Sequence, residues 1–166
     1  MHCSQPPPIL MTDKFTQKIF DSEVIDMNAQ KDVEIGRALL DAFNSSDLSS
    51  WEAVLAEDFT FSYPGFREDA NQQAAKAFNE NILVAFPDLH FEIQRTFVNG
   101  NTLAYQWVSS GTHTGPLALP TGTVPATGRS GGSPGVLISV VQDGKIVREE
   151  TYWDQVEMLT QLGLMG

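Results

Sequence analysis

Asp143-Gly144 lies between two runs of β-forming residues near the C-terminus. A type I′ hairpin turn needs positive φ angles at both central residues, and Asp-Gly adopts them at little cost. The sequence therefore predicts that residues 136–141 and 146–153 pair as antiparallel strands. Because side chains alternate along a strand, four of them share one face of the second strand, namely Arg148, Glu150, Tyr152 and Asp154. The opposite face carries Val147, Glu149, Thr151 and Trp153.

Apolar spacing and one capping box upstream of this hairpin predict three helices. The first has a continuous stripe at helical period, formed by Ile35, Ala38, Leu39, Ala42 and Phe43. Ser49-Ser50-Trp51-Glu52 has capping-box spacing and predicts a short helix through Leu55, with Trp51 in its first turn. A third helix is expected from about Asn71 to the residue before Pro87, with a buried stripe of Ala74, Ala77, Phe78, Ile82 and Ala85 or Phe86.

The remaining segments predict strands and loops. The alternating run 59–63 predicts a half-buried strand with Phe59, Phe61 and Tyr63 on one face. Residues 89–98 and 102–112 predict two longer strands joined at Asn99-Gly100. Residues 114–133 are expected to form a loop, and residues 156–162 a short final helix. This order predicts an α+β fold in which a curved antiparallel sheet, with helices packed over its concave side, encloses a pocket.

The length of 166 residues fits one domain with a substantial core. We expect the domain to occupy residues 29–166 and residues 1–28 to form a flexible N-terminal extension. The formal charge of −11 disfavours nucleic acid and anionic membrane surfaces as partners. A single cysteine, Cys3, argues against a disulfide framework, and no apolar run reaches the roughly 20 residues that span a bilayer. We therefore expect a cytoplasmic protein.

Asp154 is the first candidate for acid/base chemistry, because it ends an aromatic strand. Glu150 and Tyr152 are predicted on the same strand face, and a second carboxylate or apolar surroundings would raise the pKa of such a group. The alternative is that Asp154 caps the helix that follows, since Asp is a preferred N-cap residue. The alternative for Glu150 is a solvated ion pair with Lys145 or Arg148.

His113 is the best placed of the histidines, at the point where a strand becomes a loop, and it is a second catalytic candidate. It could equally be hydrogen-bonded to the loop backbone. No HxH or HExxH spacing is present, so we expect no metal site. Residues 101–128 contain no charged side chain at all. A pocket wall built from this segment would be neutral and would suit an uncharged, partly aromatic ligand.

Several motifs in one order resemble the SnoaL-like polyketide cyclase family of the NTF2-like superfamily. They are the sequences at residues 42–48, 85–89, 111–117, 125–129, 143–147 and 152–154, followed by Gln161-Leu162-Gly163. The resemblance implies a cone-shaped α+β barrel with an apolar cavity, chemistry without a cofactor, and dimerisation through the sheet. It also implies that Asp154 is the acid/base residue of an intramolecular aldol closure.

The first functional hypothesis is therefore a cofactor-independent cyclase or isomerase acting on a small hydrophobic carbonyl or polyketide-like substrate. Asp154 and His113 are its catalytic candidates, and the substrate-binding candidates are Trp51, Phe61, Tyr63, Gln106, Glu150 and Tyr152. An epoxide hydrolase fits less well. The limonene epoxide hydrolase type of this superfamily has an Arg-x-Asp pair on a central strand, which Tyr105-Gln106-Trp107 lacks. The alternative hypothesis is a non-catalytic module that binds a small hydrophobic ligand or serves dimerisation.

Overall fold

The structure, a computed structural model, describes residues 27–63, 68–119 and 122–165. The N-terminal extension expected for residues 1–28 therefore lies almost entirely outside the described residues. The helices are α1 (Met27–Asn44), α2 (Leu48–Ala53), α3 (Gln72–Ala85) and α4 (Gln155–Gln161). The strands are β1 (Leu55–Ser62), β2 (Ala70–Asn71), β3 (His90–Asn99), β4 (Thr102–Thr112), β5 (Leu117–Leu119), β6 (Gly122–Val124), β7 (Ser130–Gly131), β8 (Pro134–Gln142) and β9 (Lys145–Trp153).

The main sheet has the order β2-β1-β9-β8-β4-β3, with β7 paired to the end of β4, and β5 and β6 form a small separate sheet. Its pairings are antiparallel except that β1 runs parallel to β9, so the sheet is mixed rather than wholly antiparallel as the sequence predicted. The α+β fold with helices over one face of a curved sheet is confirmed. No helix within the described residues is both long and apolar enough to cross a membrane.

The predicted C-terminal hairpin is confirmed. Asp143 and Gly144 have φ angles of 51° and 76°, as a type I′ turn requires. The pairing register shifts at Val147, which makes a bulge in β9. Because a bulge adds one residue, Ile146 and Glu149 are both buried although they are three positions apart.

Two predictions about the helices needed correction, the cap of α2 and the buried face of α3. Asp47, not Ser49, caps α2, because its Oδ1 accepts hydrogen bonds from the backbone nitrogens of Ser49 and Ser50. In α3 the buried positions are Ala75, Asn79 and Ala85, whereas Ala74 and Ala77 are exposed. The buried stripe is thus rotated from the predicted one, and a polar residue occupies part of it.

Helix α1 is fixed to the sheet at two places. The hydroxyl of Tyr105 on β4 donates to the backbone oxygen of Val33, and a Cβ at Gly36 would overlap the Tyr105 ring. At the end of α1, the amide of Asn44 exchanges two hydrogen bonds with the backbone of Phe91 on β3, at 2.7 and 3.0 Å. These contacts hold α1 across the concave face of the sheet. A cavity remains between the helix and the sheet.

Candidate functional site

A mostly apolar pocket of about 100 Å³ lies between helices α1 and α3 and the concave face of the sheet. Both helices contribute apolar side chains to it, and the strands contribute aromatic ones. Its apolar lining consists of Leu39, Leu40, Phe43, Phe61, Phe78, Ile82, Phe86, Leu89, Phe91, Trp107, Leu137, Trp153 and Met158. The polar side chains in the lining are Asn79, Ser109, Ser110, Glu149 and Thr151.

Among the described residues that line the pocket, Glu149 has the only ionisable side chain. It lies in the middle of the sheet, where β9 pairs with Phe61 of β1 on one side and Ser139 of β8 on the other. The bulge at Val147 sets the alternation so that Glu149 points inward together with Thr151 and Trp153. The sheet therefore carries a carboxyl group into an aromatic pocket.

Burial controls the protonation of this group. Glu149 is 5% exposed, and within the described part of the chain its buried Oε2 has no hydrogen-bond partner. Because the charged form loses its hydration there and gains no opposite charge, burial raises the pKa of Glu149 to about 8. A carboxyl with such a pKa can both give and take a proton near neutral pH.

A second polar group in the pocket is the side chain of Asn79 on α3, which is 6% exposed. An amide carries both hydrogen-bond donors and an acceptor, so it can orient a carbonyl or hydroxyl group of a ligand. Ser109 is already engaged with the backbone of Ser133, to which its hydroxyl donates and from which it accepts. The polar groups left for a ligand in the pocket are therefore Glu149, Asn79, Thr151 and Ser110.

The structure corrects the predicted position of Asp154. The residue is exposed, its Oδ1 accepts a hydrogen bond of 2.9 Å from the backbone nitrogen of Glu157, and it does not line the pocket. It is the N-cap of α4, which is the alternative that the sequence left open. Strand β9 ends at Trp153. The alternation that predicted Asp154 on one face with Glu150 and Tyr152 therefore does not extend to Asp154.

The face that carries Glu150 and Tyr152 is the outer face of the sheet. Arg148 lies 2.8 Å from Glu150 and 2.6 Å from Asp69, and the Tyr152 hydroxyl donates to Glu150. The hydrogen bonds from Arg148 and Tyr152 lower the pKa of Glu150. Gln106 is also exposed and lies outside the pocket. These three predicted binding residues are therefore away from the cavity.

His113 is completely buried, but its hydrogen bond is to a loop and it does not face the pocket. Its Nδ1 accepts a hydrogen bond of 3.3 Å from the Thr127 backbone nitrogen, and its ring stacks on Phe86 at 5.2 Å. Since a backbone N–H only donates, Nδ1 carries no proton, and burial lowers the pKa of the ring. Phe86 lines the pocket whereas His113 does not.

The aromatic candidates divide between core and pocket. Phe61 alone among the predicted site residues is part of the pocket lining. Tyr63 stacks on the ring of Trp153 at 4.5 Å and so supports the wall from behind. Trp51 is 1% exposed and packs edge-on against Phe59 in the core.

Sequence reasoning missed Glu149 and Asn79. The signal for Glu149 was present, because alternation placed it on one face with Thr151 and Trp153, but that face received no functional role. The signal for Asn79 was weak, because a polar residue in a helix normally faces solvent. Within the described residues, no group of three His, Cys, Asp or Glu side chains could hold a metal ion.

The chain matches the model of the SnoaL-like polyketide cyclase family over residues 33–162. It belongs to this family. No curated protein matches the sequence at a significant level.

Solved structures agree with the family assignment at low sequence identity. IdmH of Streptomyces antibioticus, a proposed polyketide cyclase, has a TM-score of 0.68 and 28% identity over 80% of this chain and 98% of its own. AclR of Streptomyces galilaeus, a proposed hydroxylase, has a TM-score of 0.72 and 21% identity over 82% and 98%. A SnoaL-like protein of Jannaschia has a TM-score of 0.73 and 20% identity over 82% and 94%. The last two establish the fold alone.

Proposed function

We infer that the protein is an acid/base enzyme of the cyclase or isomerase type that works without a cofactor on a small hydrophobic carbonyl compound, with Glu149 as its proton-transferring residue. The observation that carries this proposal is the carboxyl group of Glu149 in an apolar pocket, with its pKa raised to about 8. Membership of a family named for polyketide cyclases supports the reaction class.

The raised pKa gives Glu149 both roles that such a reaction needs. With a pKa of about 8, roughly nine molecules in ten carry the protonated form at pH 7. The carboxylate form removes a proton from the carbon next to a substrate carbonyl and leaves an enolate. In an isomerase the same proton returns at another carbon. In a cyclase the enolate carbon bonds to a second carbonyl carbon, and the resulting alkoxide takes the proton.

Asn79 supplies the second polar contact in this proposal. Its amide NH₂ can donate to the substrate carbonyl oxygen, where negative charge develops as the enolate forms. A donor placed at such an oxygen contributes about 3 kcal/mol in other enzymes. The aromatic side chains of Trp107 and Trp153 would pack against the apolar part of the substrate and exclude water.

The test is exchange of the α-protons of phenylacetone for deuterium, followed by NMR, because exchange requires enolate formation and nothing more. Phenylacetone carries both features of the proposed substrate, an apolar ring and protons on a carbon next to a carbonyl. Glu149→Gln should lower the protein-catalysed exchange rate at least about 100-fold, as loss of a general base does. Glu149→Asp should retain part of the rate.

Glu150→Gln is the matched control, since it changes the adjacent carboxylate on the outer face of the sheet. Its exchange rate should equal that of the unchanged protein. Equal rates for the unchanged protein and Glu149→Gln would contradict the enzyme proposal. Binding of phenylacetone without any exchange above buffer would instead favour the ligand-binding module.

A further inference from the structure

An open cleft of about 390 Å³ lies beside the pocket, where the end of β4 meets β7. The cleft and the pocket share four residues of their walls, Ser110, Gly111, Gly131 and Gly132. The two spaces are therefore adjacent. The remaining walls of the cleft are Asp88, Thr112 and Ser130, so it is lined by polar side chains and glycine backbone.

The pocket is too small to hold a whole substrate, so part of any ligand must lie outside it. An engineered cavity of roughly 150 Å³ in another protein holds benzene. The pocket here is partly open and measures about 100 Å³, whereas small-molecule sites usually measure roughly 300–1,000 Å³. The pocket and cleft together reach that range. Only one end of a typical ligand can lie next to Glu149.

Gly111 lies in the wall that the two spaces share. A Cβ at this position would lie 3.4 Å from the Phe86 side chain, which lines the pocket, and 3.5 Å from Oδ1 of Asp88, which lines the cleft. A side chain here would therefore contact one residue of each space. At Gly132 a Cβ would overlap the Ser109 backbone oxygen, so glycine is required for the wall itself.

Asp88 determines which chemistry the cleft accepts. Its carboxylate accepts hydrogen bonds from the Thr112 backbone nitrogen at 2.6 Å and the Thr112 hydroxyl at 2.7 Å. A carboxylate has about four acceptor positions, so further donors can still bind to it. Asp88 is the only ionisable residue among the described residues that line the cleft. A group that donates hydrogen bonds is favoured there, and an anion is repelled.

We propose that this cleft is a subsite for the polar end of an elongated substrate, which carries a hydroxyl or ammonium group and no negative charge, while an apolar ring at the other end enters the pocket. This inference rests on the proposed function only in placing the reactive end of the substrate near Glu149. The cleft itself is defined by Asp88, Thr112, Ser130 and the shared glycines.

The test uses four phenyl compounds that share a two-methylene arm and differ in the group it carries: 2-phenylethylamine, 2-phenylethanol, propylbenzene and 3-phenylpropanoate. Their dissociation constants are measured by calorimetry at pH 7 and 0.15 M salt. 2-Phenylethylamine and 2-phenylethanol should bind more tightly than propylbenzene, and the carboxylate most weakly. We expect the ammonium and carboxylate probes to differ about fivefold, the upper end for an exposed charge pair.

Two variants test whether residues of the cleft cause the difference in affinity between the probes. Asp88→Asn keeps an acceptor and a donor for Thr112 and should reduce the difference between the ammonium and carboxylate probes to less than about twofold. Ser130→Lys, at an exposed position, should reverse their order. Asp58→Asn is the control, because it makes the same change in net charge at an exposed position that lines neither space. It should leave the difference unchanged.

Equal binding of all four probes would overturn the proposal, and so would a difference that survives Asp88→Asn. The outcome is separate from that of the enzyme test. If exchange of phenylacetone depends on Glu149 while the probes bind equally, the subsite is wrong and the function stands. If the probes differ as expected while Glu149→Gln exchanges normally, the cleft is a binding site and the enzyme proposal is wrong.

Discussion

Ser139 and Glu149 lie directly opposite each other where β8 pairs with β9, and each carries a buried oxygen that has no hydrogen-bond partner among the described residues. Ser139 is completely buried and Glu149 is 5% exposed. The Cβ atoms of such opposed residues are roughly 4.5–5.5 Å apart, so a rotation of either side chain can bring the two oxygens together. A serine hydroxyl can then donate to the carboxylate when Glu149 loses its proton.

Ser139→Ala should therefore raise the pKa of Glu149 further above its ordinary value. Loss of this donor removes stabilisation from the charged form and leaves the neutral form almost unaffected. The measurement is an NMR titration of the Glu149 carboxyl carbon in ¹³C-labelled protein, with Glu149→Gln used to assign the signal. A pKa that does not change in Ser139→Ala would mean that the hydroxyl does not reach the carboxylate.

Stability should fall as the pH rises toward 8. The pKa of Glu149 is about 8 in the folded protein against an ordinary 4.5, so between these values the folded state holds a proton that the unfolded state has released. Each pH unit in this window then costs about 1.4 kcal/mol of unfolding free energy from this group alone. Urea unfolding at pH 5 to 8 measures the trend.

The trend should be much weaker in Glu149→Gln, which has no proton to lose. Glu150→Gln is the control, because hydrogen bonds from Arg148 and Tyr152 lower the pKa of Glu150, whereas burial raises that of Glu149. Glu150 contributes stability above its ordinary pKa and loses that contribution as the pH falls through its lowered value. A Glu149→Gln protein whose stability declines with pH as steeply as the unchanged protein would contradict the buried protonated carboxyl.

The sequence predicted the fold because the main signals are local. Asp143-Gly144 requires its turn whatever surrounds it, and the apolar stripe of α1 continues unbroken over several turns. The parallel pairing of β1 with β9 was not predictable in this way, because it joins segments far apart in the chain. The rotation of the α3 stripe was missed because Ala74 and Ala77 are too small to reveal which face is buried.

The site was less predictable than the fold. Alternation correctly grouped Glu149 with Trp153 and Glu150 with Tyr152, but alternation alone does not say which face is concave. The family resemblance implies Asp154 instead, which follows the last residue of the strand. Only packing of α1 and α3 over the sheet distinguishes the buried glutamate from the exposed one.

The outer face of the sheet carries exposed apolar residues on three strands. Phe97 on β3, Val108 on β4 and Tyr152 on β9 are 57%, 43% and 46% exposed. Exposed apolar groups of this size often mark interaction sites. The homodimer implied by the family resemblance could bury them, so we predict that Phe97→Asp lowers the sedimentation-derived mass toward that of a monomer. Val156→Asp on α4, 60% exposed, is the control. A monomeric unchanged protein would contradict the prediction.

Asp154→Ala should destabilise the protein without changing its chemistry. The side chain satisfies the backbone nitrogen of Glu157 at the start of α4, and loss of an N-cap costs about 1 kcal/mol. Asp154→Asn retains the accepting oxygen and should lose only a small part of this stability, as measured by urea unfolding. Both variants should exchange the α-protons of phenylacetone as the unchanged protein does, because Asp154 lies outside the pocket lining. If Asp154→Asn keeps its stability but loses exchange 100-fold, Asp154 rather than Glu149 is the acid/base residue.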